Sequence, residues 1–136
     1  MNQITILFVD DHQLIRKAWE FFLKQDPRFI LIGSCENGEE AIELSRELCP
    51  DIVIMDICLR GMSGIEATQM IRENCPAVKI IGLSFHLIAD YAEKMLKSGA
   101  MGYLSKISAP EEIYKAILEV HQGRTYICKD VSDILS

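Results

Sequence analysis

Two adjacent carboxylates, Asp10 and Asp11, close the stretch "ILFVDD" that begins at Ile6. The apolar run reads as a buried strand, and carboxylates seldom sit at the end of a core strand unless something offsets their charge. The pattern recurs: "DIVIMD" ends in Asp56, "KIIGLS" ends in Ser84, and "YLSK" brings up Lys106. Any one of these residues alone reads as a helix cap, a turn residue or a solvated charge. Together, at the ends of neighbouring parallel strands, they would put three carboxylates, a hydroxyl and an ammonium into one small site. Three close carboxylates repel one another, and a divalent cation relieves that repulsion. An oxygen-only donor set favours Mg2+ over zinc or copper. With Lys106 and Ser84 free to take phosphate oxygens, the group has the parts for phosphoryl transfer to a carboxylate.

The elements that would position these groups are legible as five repeats of a short apolar run followed by an amphipathic segment. The runs are "ITILFV" (4–9), "FILIGS" (29–34), "DIVIM" (51–55), "KIIGLS" (79–84) and "MGYL" (101–104), rich in Ile, Val and Leu and too short for stable helices. The first, third and fourth are nearly all apolar, as in strands covered on both faces. The helical stripes are Leu14, Ile15, Ala18, Phe21 and Phe22; Ile42, Leu44 and Leu48; Ile65, Met70 and Ile71; Ile88, Ala92, Met95 and Leu96; and Ile113, Ala116, Ile117 and Val120. Trp19 falls at the edge of the first stripe and Leu118 off the last, so either is open to a dimer contact. Ser63 with Glu66, Ser108 with Glu111, and Asn37 with Glu40 have capping-box spacing, and Gly99 stands where a left-handed C-cap belongs. Regular βα alternation implies a doubly wound parallel sheet, in which ligands bind beyond the carboxyl ends of the strands at the topological switch point.

The totals narrow the function classes. The 136 residues suit one domain, with 49% apolar and 25% charged residues and a net charge of −6. That acidity argues against direct nucleic-acid binding by this domain. Five cysteines, Cys35, Cys49, Cys58, Cys75 and Cys128, form no CxxC pair and read as reduced thiols. No signal-peptide pattern opens the chain and no apolar run nears the ~20 residues of a membrane span, so a cytoplasmic protein without membrane contact is expected.

The chain resembles the receiver domain of bacterial two-component response regulators over roughly residues 3–122. The ordered set "VDDH" (9–12), "DIVIMDICLRGMSGIEA" (51–67), "GLS" (82–84) and "GAMGYLSK" (99–106) carries the likeness. The wording of "MSGIEA", "GAMGYLSK" and the tail "GRTYICKDVSDIL" is most similar to the LuxR/NarL-type subfamily, whose receiver precedes a helix-turn-helix domain. The resemblance implies a flavodoxin-like α/β fold with five βα units and strand order 2-1-3-4-5. It implies Asp56 as the phosphoacceptor, charged by a sensor histidine kinase with Mg2+. Asp10 and Asp11 match the acidic pair, Asp11 touching the ion directly, and the backbone carbonyl of Cys58 matches the remaining protein ligand. Lys106 matches the phosphate-binding lysine, Ser84 the hydroxyl that moves toward the phosphoryl group, and the backbone N–H of Phe85 a further phosphate donor. Tyr103 matches the aromatic switch, expected to turn inward when Ser84 moves. Cys58 and His86 fall at positions that tune the lifetime of the phosphoryl group. A homodimer on activation is a further expectation.

Three residues depart from the family pattern: Arg60 stands where proline is usual, Phe85 where a small residue is usual, and Ile107 where a proline often follows the lysine. Phe85 is expected to restrict access or switching, and the Lys106–Ile107 peptide is expected to be trans. The division expected is a receiver over 1–122 and, over 123–136, the start of a linker to a C-terminal DNA-binding domain. The alternative is a stand-alone receiver working by protein binding or phosphorelay. Asp-nucleophile phosphatases place a second Asp where this chain has Cys58, and a flavin protein would set its phosphate against acidic strand ends, so both classes fit less well.

Overall fold

The computed structural model describes residues 3–85 and 89–135. Six parallel strands lie in the order β2-β1-β3-β4-β5-β6. They are β1 (Ile4–Val9), β2 (Phe29–Cys35), β3 (Ile52–Asp56), β4 (Lys79–Ser84), β5 (Gly102–Ser105) and β6 (Tyr126–Ile127). Between and after them run α1 (Gln13–Lys24), α2 (Gly38–Leu48), α3 (Gly64–Asn74), α4 (Ala89–Lys97), α5 (Pro110–His121) and α6 (Lys129–Leu135). The first five strands follow the order 2-1-3-4-5 of a flavodoxin-like receiver fold, as the sequence pattern implies. The chain reverses direction across the sheet between β1 and β3, which sets the switch point beside the ends of those strands.

Side-chain patterns explain the layers. Strands β3 and β4 are buried along almost their whole length, and β1 nearly so, because helices cover both faces. The outer strand β2 is buried mainly at its two ends, Phe29 and Cys35. Helices α1 and α5 meet on one face, where the Tyr114 hydroxyl donates to the Phe22 carbonyl (2.6 Å) and the ring of Tyr114 lies 5.6 Å from that of Phe29. Helices α2, α3, α4 and α6 follow one another in contact along the other face.

Several helix ends obey their local chemistry. The Asn37 side chain accepts from the Glu40 N–H (2.9 Å) and donates to the Glu40 carboxylate (2.8 Å), and Ser63 accepts from the Glu66 N–H (3.2 Å). Replacing Asn37 with alanine is expected to cost about 1 kcal/mol of unfolding free energy, measured by urea denaturation. Gly99 takes φ 115° just past α4, as a left-handed C-cap residue should. The Lys106–Ile107 peptide is trans, as no cis bond occurs among the described residues.

The structure corrects three local expectations. Ser108 is not an N-cap: Ala109 holds that position, with Pro110 opening α5, and the Ser108 hydroxyl accepts from the Ser105 N–H (3.1 Å) instead. In α1 the apolar stripe faces a different way. Trp19 is 2% exposed and stacks on Phe8 with ring centroids 5.4 Å apart, whereas Leu14 and Phe21 are 83% and 60% exposed. Apolar residues surround most of this helix, so the largest ring that could pack on β1 decided the orientation, and Trp19 is not available to a dimer. Leu48 and Met70 likewise lie outside the core, their places taken by Ala41 and Ser45 in α2 and by Ala67 and Thr68 in α3. Residues 126–135 pack at the edge of the sheet: β6 pairs with β5, and Cys128 and Val131 are buried.

Candidate acidic phosphate site

Each expected strand-end residue is held by backbone pairing before its side chain is considered. Asp10 lies one residue past β1, its N–H continuing the ladder to the Cys35 carbonyl (3.1 Å). Asp56 is the last residue of β3, opposite Leu83 of β4. Ser84 ends β4, and its carbonyl accepts from the Lys106 N–H (3.0 Å), so Lys106 follows β5 at the same edge. Parallel pairing therefore gathers Asp10, Asp56, Ser84 and Lys106, all buried, at one end of the sheet.

Lys106 is the centre of the cluster. Its ammonium donates to Asp56 Oδ2 (2.9 Å) and pairs with Asp10 Oδ2 (2.9 Å), with all three side chains out of solvent. Asp56 Oδ1 accepts from the Cys58 N–H (3.0 Å). Burial, then the charge of Asp10, holds the Asp56 carboxyl above the ordinary carboxylate range, against the opposing pull of Lys106 and the Cys58 N–H. Cys58 itself is exposed, and burial of its sulfur, followed by the Asp56 charge, pushes the thiol up. Asp11 lies at the rim, with Arg60 Nε 3.8 Å from its Oδ2; the Arg60 side chain is almost wholly solvated. Asp10 Oδ2, ion-paired with Lys106, and Asp11 Oδ1, 3.2 Å from His12 Nδ1, are buried oxygens without a well-aligned hydrogen bond, so each keeps lone-pair capacity for a further partner. That donor set fits a hard divalent cation.

Two aromatic residues and one histidine complete the surroundings. The Phe85 ring is partly exposed and stands 5.0 Å from the Lys106 ammonium, over the mouth of the site. Tyr103 was expected to turn inward on switching, but it is already fully buried. Its ring covers Gly82, the residue beside it on β4, where a Cβ would lie 2.9 Å from Tyr103 Cδ2; only a bare backbone leaves room for the ring. Burial raises the Tyr103 hydroxyl to about 12, and the Ser84 hydroxyl offsets only part of that. His86 lies outside the described residues.

Sequence reasoning missed two contributors. The donor set is not oxygen-only, because His12 turns its imidazole into the cluster: Nδ1 lies 3.0 Å from Asp10 Oδ1 and 3.2 Å from Asp11 Oδ1. Its place in "VDDH" was visible, but not the direction of its side chain. Gly64 was also overlooked. It opens α3 with its N–H on the Ile57 carbonyl (3.0 Å), and a Cβ there would lie 2.2 Å from the Asp56 carbonyl oxygen.

A parallel sheet that carries two buried aspartates and a buried lysine beside its switch point defines a class of phosphate-handling α/β domains. Residues 6–118 match the response regulator receiver domain family, and the chain belongs to that family. It is 37% identical over 129 residues to the response regulator UvrY of Escherichia coli (strain K12), covering 95% of this chain and 59% of that protein. It is 38% identical over 126 residues to the transcriptional regulatory protein DegU of Brevibacillus brevis, covering 93% of this chain and 53% of that protein. The crystal structure of a LuxR family two-component response regulator from Aurantimonas sp. SI85-9A1 superposes with a TM-score of 0.93 at 34% identity, covering 98% of this chain and 96% of that one. The chain thus spans little more than half the length of the two curated relatives. Receiver domains generally bind Mg2+ at an acidic pocket, and this chain has an Asp-rich cluster in which Asp10, Asp11 and Asp56 lie together with His12.

Proposed function

We propose that this chain is a phosphorylation-controlled switch in which Asp56 accepts a phosphoryl group from a sensor histidine kinase. One observation carries the reading: a buried lysine bridges two buried aspartates, Asp10 and Asp56, at 2.9 Å each, in a receiver-family chain. Asp10, Asp11, Asp56 and the Cys58 carbonyl would hold Mg2+, which supplies charge neutralisation at the transferring oxygens. The Asp56 carboxylate attacks the phosphorus of the kinase's phosphohistidine, the P–N bond breaks with the kinase imidazole as leaving group, and Asp56 becomes the acyl phosphate. The Lys106 ammonium, already on Asp56 Oδ2, turns to a phosphoryl oxygen, while the Ser84 hydroxyl and the Phe85 N–H donate to others. Because the Tyr103 ring is already inside, the response is expected at Ser84 and the segment after β4 rather than as an inward swing of that ring.

The chain's own chemistry would be limited to accepting and losing this phosphoryl group, without turnover of a separate substrate. As the name of the relative DegU suggests, the output would be regulation of transcription; the likeness to the LuxR/NarL-type subfamily supports an output through a C-terminal helix-turn-helix domain, in a cytoplasmic protein that dimerises on activation. Incubation with acetyl phosphate and Mg2+, followed by intact-mass measurement, tests the proposal. One added phosphate is expected on the wild type and none on Asp56→Asn or without Mg2+. Equal phosphate uptake by Asp56→Asn would remove Asp56 from the reaction.

A further inference from the structure

His12 gives the acidic pocket a nitrogen donor. Its backbone N–H donates to Asp10 Oδ1 (2.8 Å), closing a two-residue turn that folds the ring back over the carboxylates. His12 is also the N-cap residue of α1, yet its side chain makes no capping bond, so the ring is not committed to the helix. It lies at the pocket's open side, 53% exposed, with its edge toward Phe85 at 6.0 Å between centroids. Nδ1 sits 3.0 Å from Asp10 Oδ1, 3.2 Å from Asp11 Oδ1 and 4.0 Å from Asp56 Oδ2.

Lys106 also stands beside that nitrogen. Its ammonium donates to Asp56 Oδ2 (2.9 Å), with Asp10 Oδ2 at 2.9 Å and His12 Nδ1 at 3.0 Å. Nδ1 offers a single lone pair, so an ion bound there would replace the Lys106 contact and leave the ring proton on Nε2. One ligand atom from each of Asp10, Asp11, His12 and Asp56 lies within 4.8 Å of the others. Donors bound at about 2.0–2.1 Å to one ion lie about 3 Å apart when adjacent and about 4 Å when opposite. The His12 spacings match that pattern. Mg2+ prefers oxygen, whereas imidazole suits cobalt, nickel and zinc.

We propose that His12 is a metal ligand, through Nδ1, and makes the pocket a mixed nitrogen–oxygen site that selects borderline transition ions such as Co2+ over Mg2+. This rests on the reading of the pocket as a cation-binding receiver site. A Co2+ or Mg2+ ion taken up there meets the same carboxylates, and only the transition ion gains from the imidazole.

The test uses the purified chain, with isothermal titration of CoCl2 and MgCl2 into the wild type, His12→Ala and Asp11→Asn. His12→Ala is expected to weaken Co2+ by at least about tenfold, the range lost when even the outer support of a ligand is removed, and to leave Mg2+ within twofold. The unchanged Mg2+ affinity also reports that the variant is folded. In the NMR spectrum of the Co2+ form, a hyperfine-shifted exchangeable proton from His12 Nε2–H is expected and should vanish in His12→Ala. Equal losses for the two ions, no loss of Co2+ affinity, or an unchanged hyperfine spectrum would overturn the assignment. Asp11→Asn separates the underlying reading: it should weaken both ions, and undiminished Mg2+ binding by that variant would defeat the cation pocket itself while leaving the His12 result to stand on its own comparison.

Discussion

Replacing Lys106 with methionine is expected to destabilise the protein by about 3–5 kcal/mol at neutral pH, the usual cost of stripping one partner from a buried ion pair. The variant keeps most of the side-chain volume but leaves the Asp10 and Asp56 carboxylates buried without their shared ammonium. The sign of the pH dependence follows from Asp56. Its carboxyl is already held above the ordinary range by burial and by Asp10, and Lys106 is among the groups pulling it back down. Without Lys106 the folded state keeps that proton to still higher pH, while the unfolded chain releases it near about 3.9. The folded state then binds more protons than the unfolded one, so stability falls as pH rises from the ordinary carboxylate value through the raised one. Urea denaturation from pH 4 to 8 should show a deficit that is small in acid and grows toward neutrality. A deficit that is equal at every pH would mean that Lys106 matters for packing and not for charge. Mg2+ should raise the melting temperature of the variant more than that of the wild type, since a divalent ion would neutralise the same carboxylates.

The second large effect is expected at Gly64. A Cβ there would lie 2.2 Å from the Asp56 carbonyl oxygen and 2.7 Å from Ile57 Cα, and neither backbone atom can rotate away. Gly64→Ala must therefore lift the start of α3 off the end of β3. That costs at least the ~1–3 kcal/mol typical of overpacking and moves the loop that presents Asp56 and Cys58. Chemical denaturation should show the loss, and Mg2+ affinity should fall with it. Gly61→Ala is the control. Gly61 has φ 75° but nothing within 4 Å of its Cβ position, so only its backbone conformation is penalised, by about 1 kcal/mol, and Mg2+ binding should hold. Equal effects at the two positions would show that the contact with Asp56 is unimportant.

The repeated strand endings were legible because they rest on one-dimensional signals. A run such as "DIVIMD" states both that a strand is buried and that its last residue is a carboxylate, and parallel pairing then leaves little freedom in where Asp10, Asp56, Ser84 and Lys106 converge. The caps at Asn37 and Ser63 were legible for the same reason, since donor and acceptor lie three residues apart. Ser108 has the same spacing and failed, because Pro110 allowed the helix to start one residue later and the hydroxyl found the Ser105 N–H. The face of α1 failed because apolar side chains surround most of that helix, and periodicity cannot choose among them.

By itself, the sequence determined the alternation of strands and helices, the strand order through the family likeness, and the gathering of acidic and basic groups at one sheet edge. These follow from periods of two and 3.6 residues and from residue type, which are properties of the chain alone. The tertiary structure decided what depends on side-chain direction and on close approach between segments distant along the chain. It turned His12 into the carboxylates, set Trp19 on Phe8, laid Tyr103 over Gly82, pressed Gly64 against the Asp56 carbonyl and folded residues 126–135 onto β5 and α4. Each of these is a contest for the same few ångströms of space, and only packing the whole chain settles which side chain occupies them.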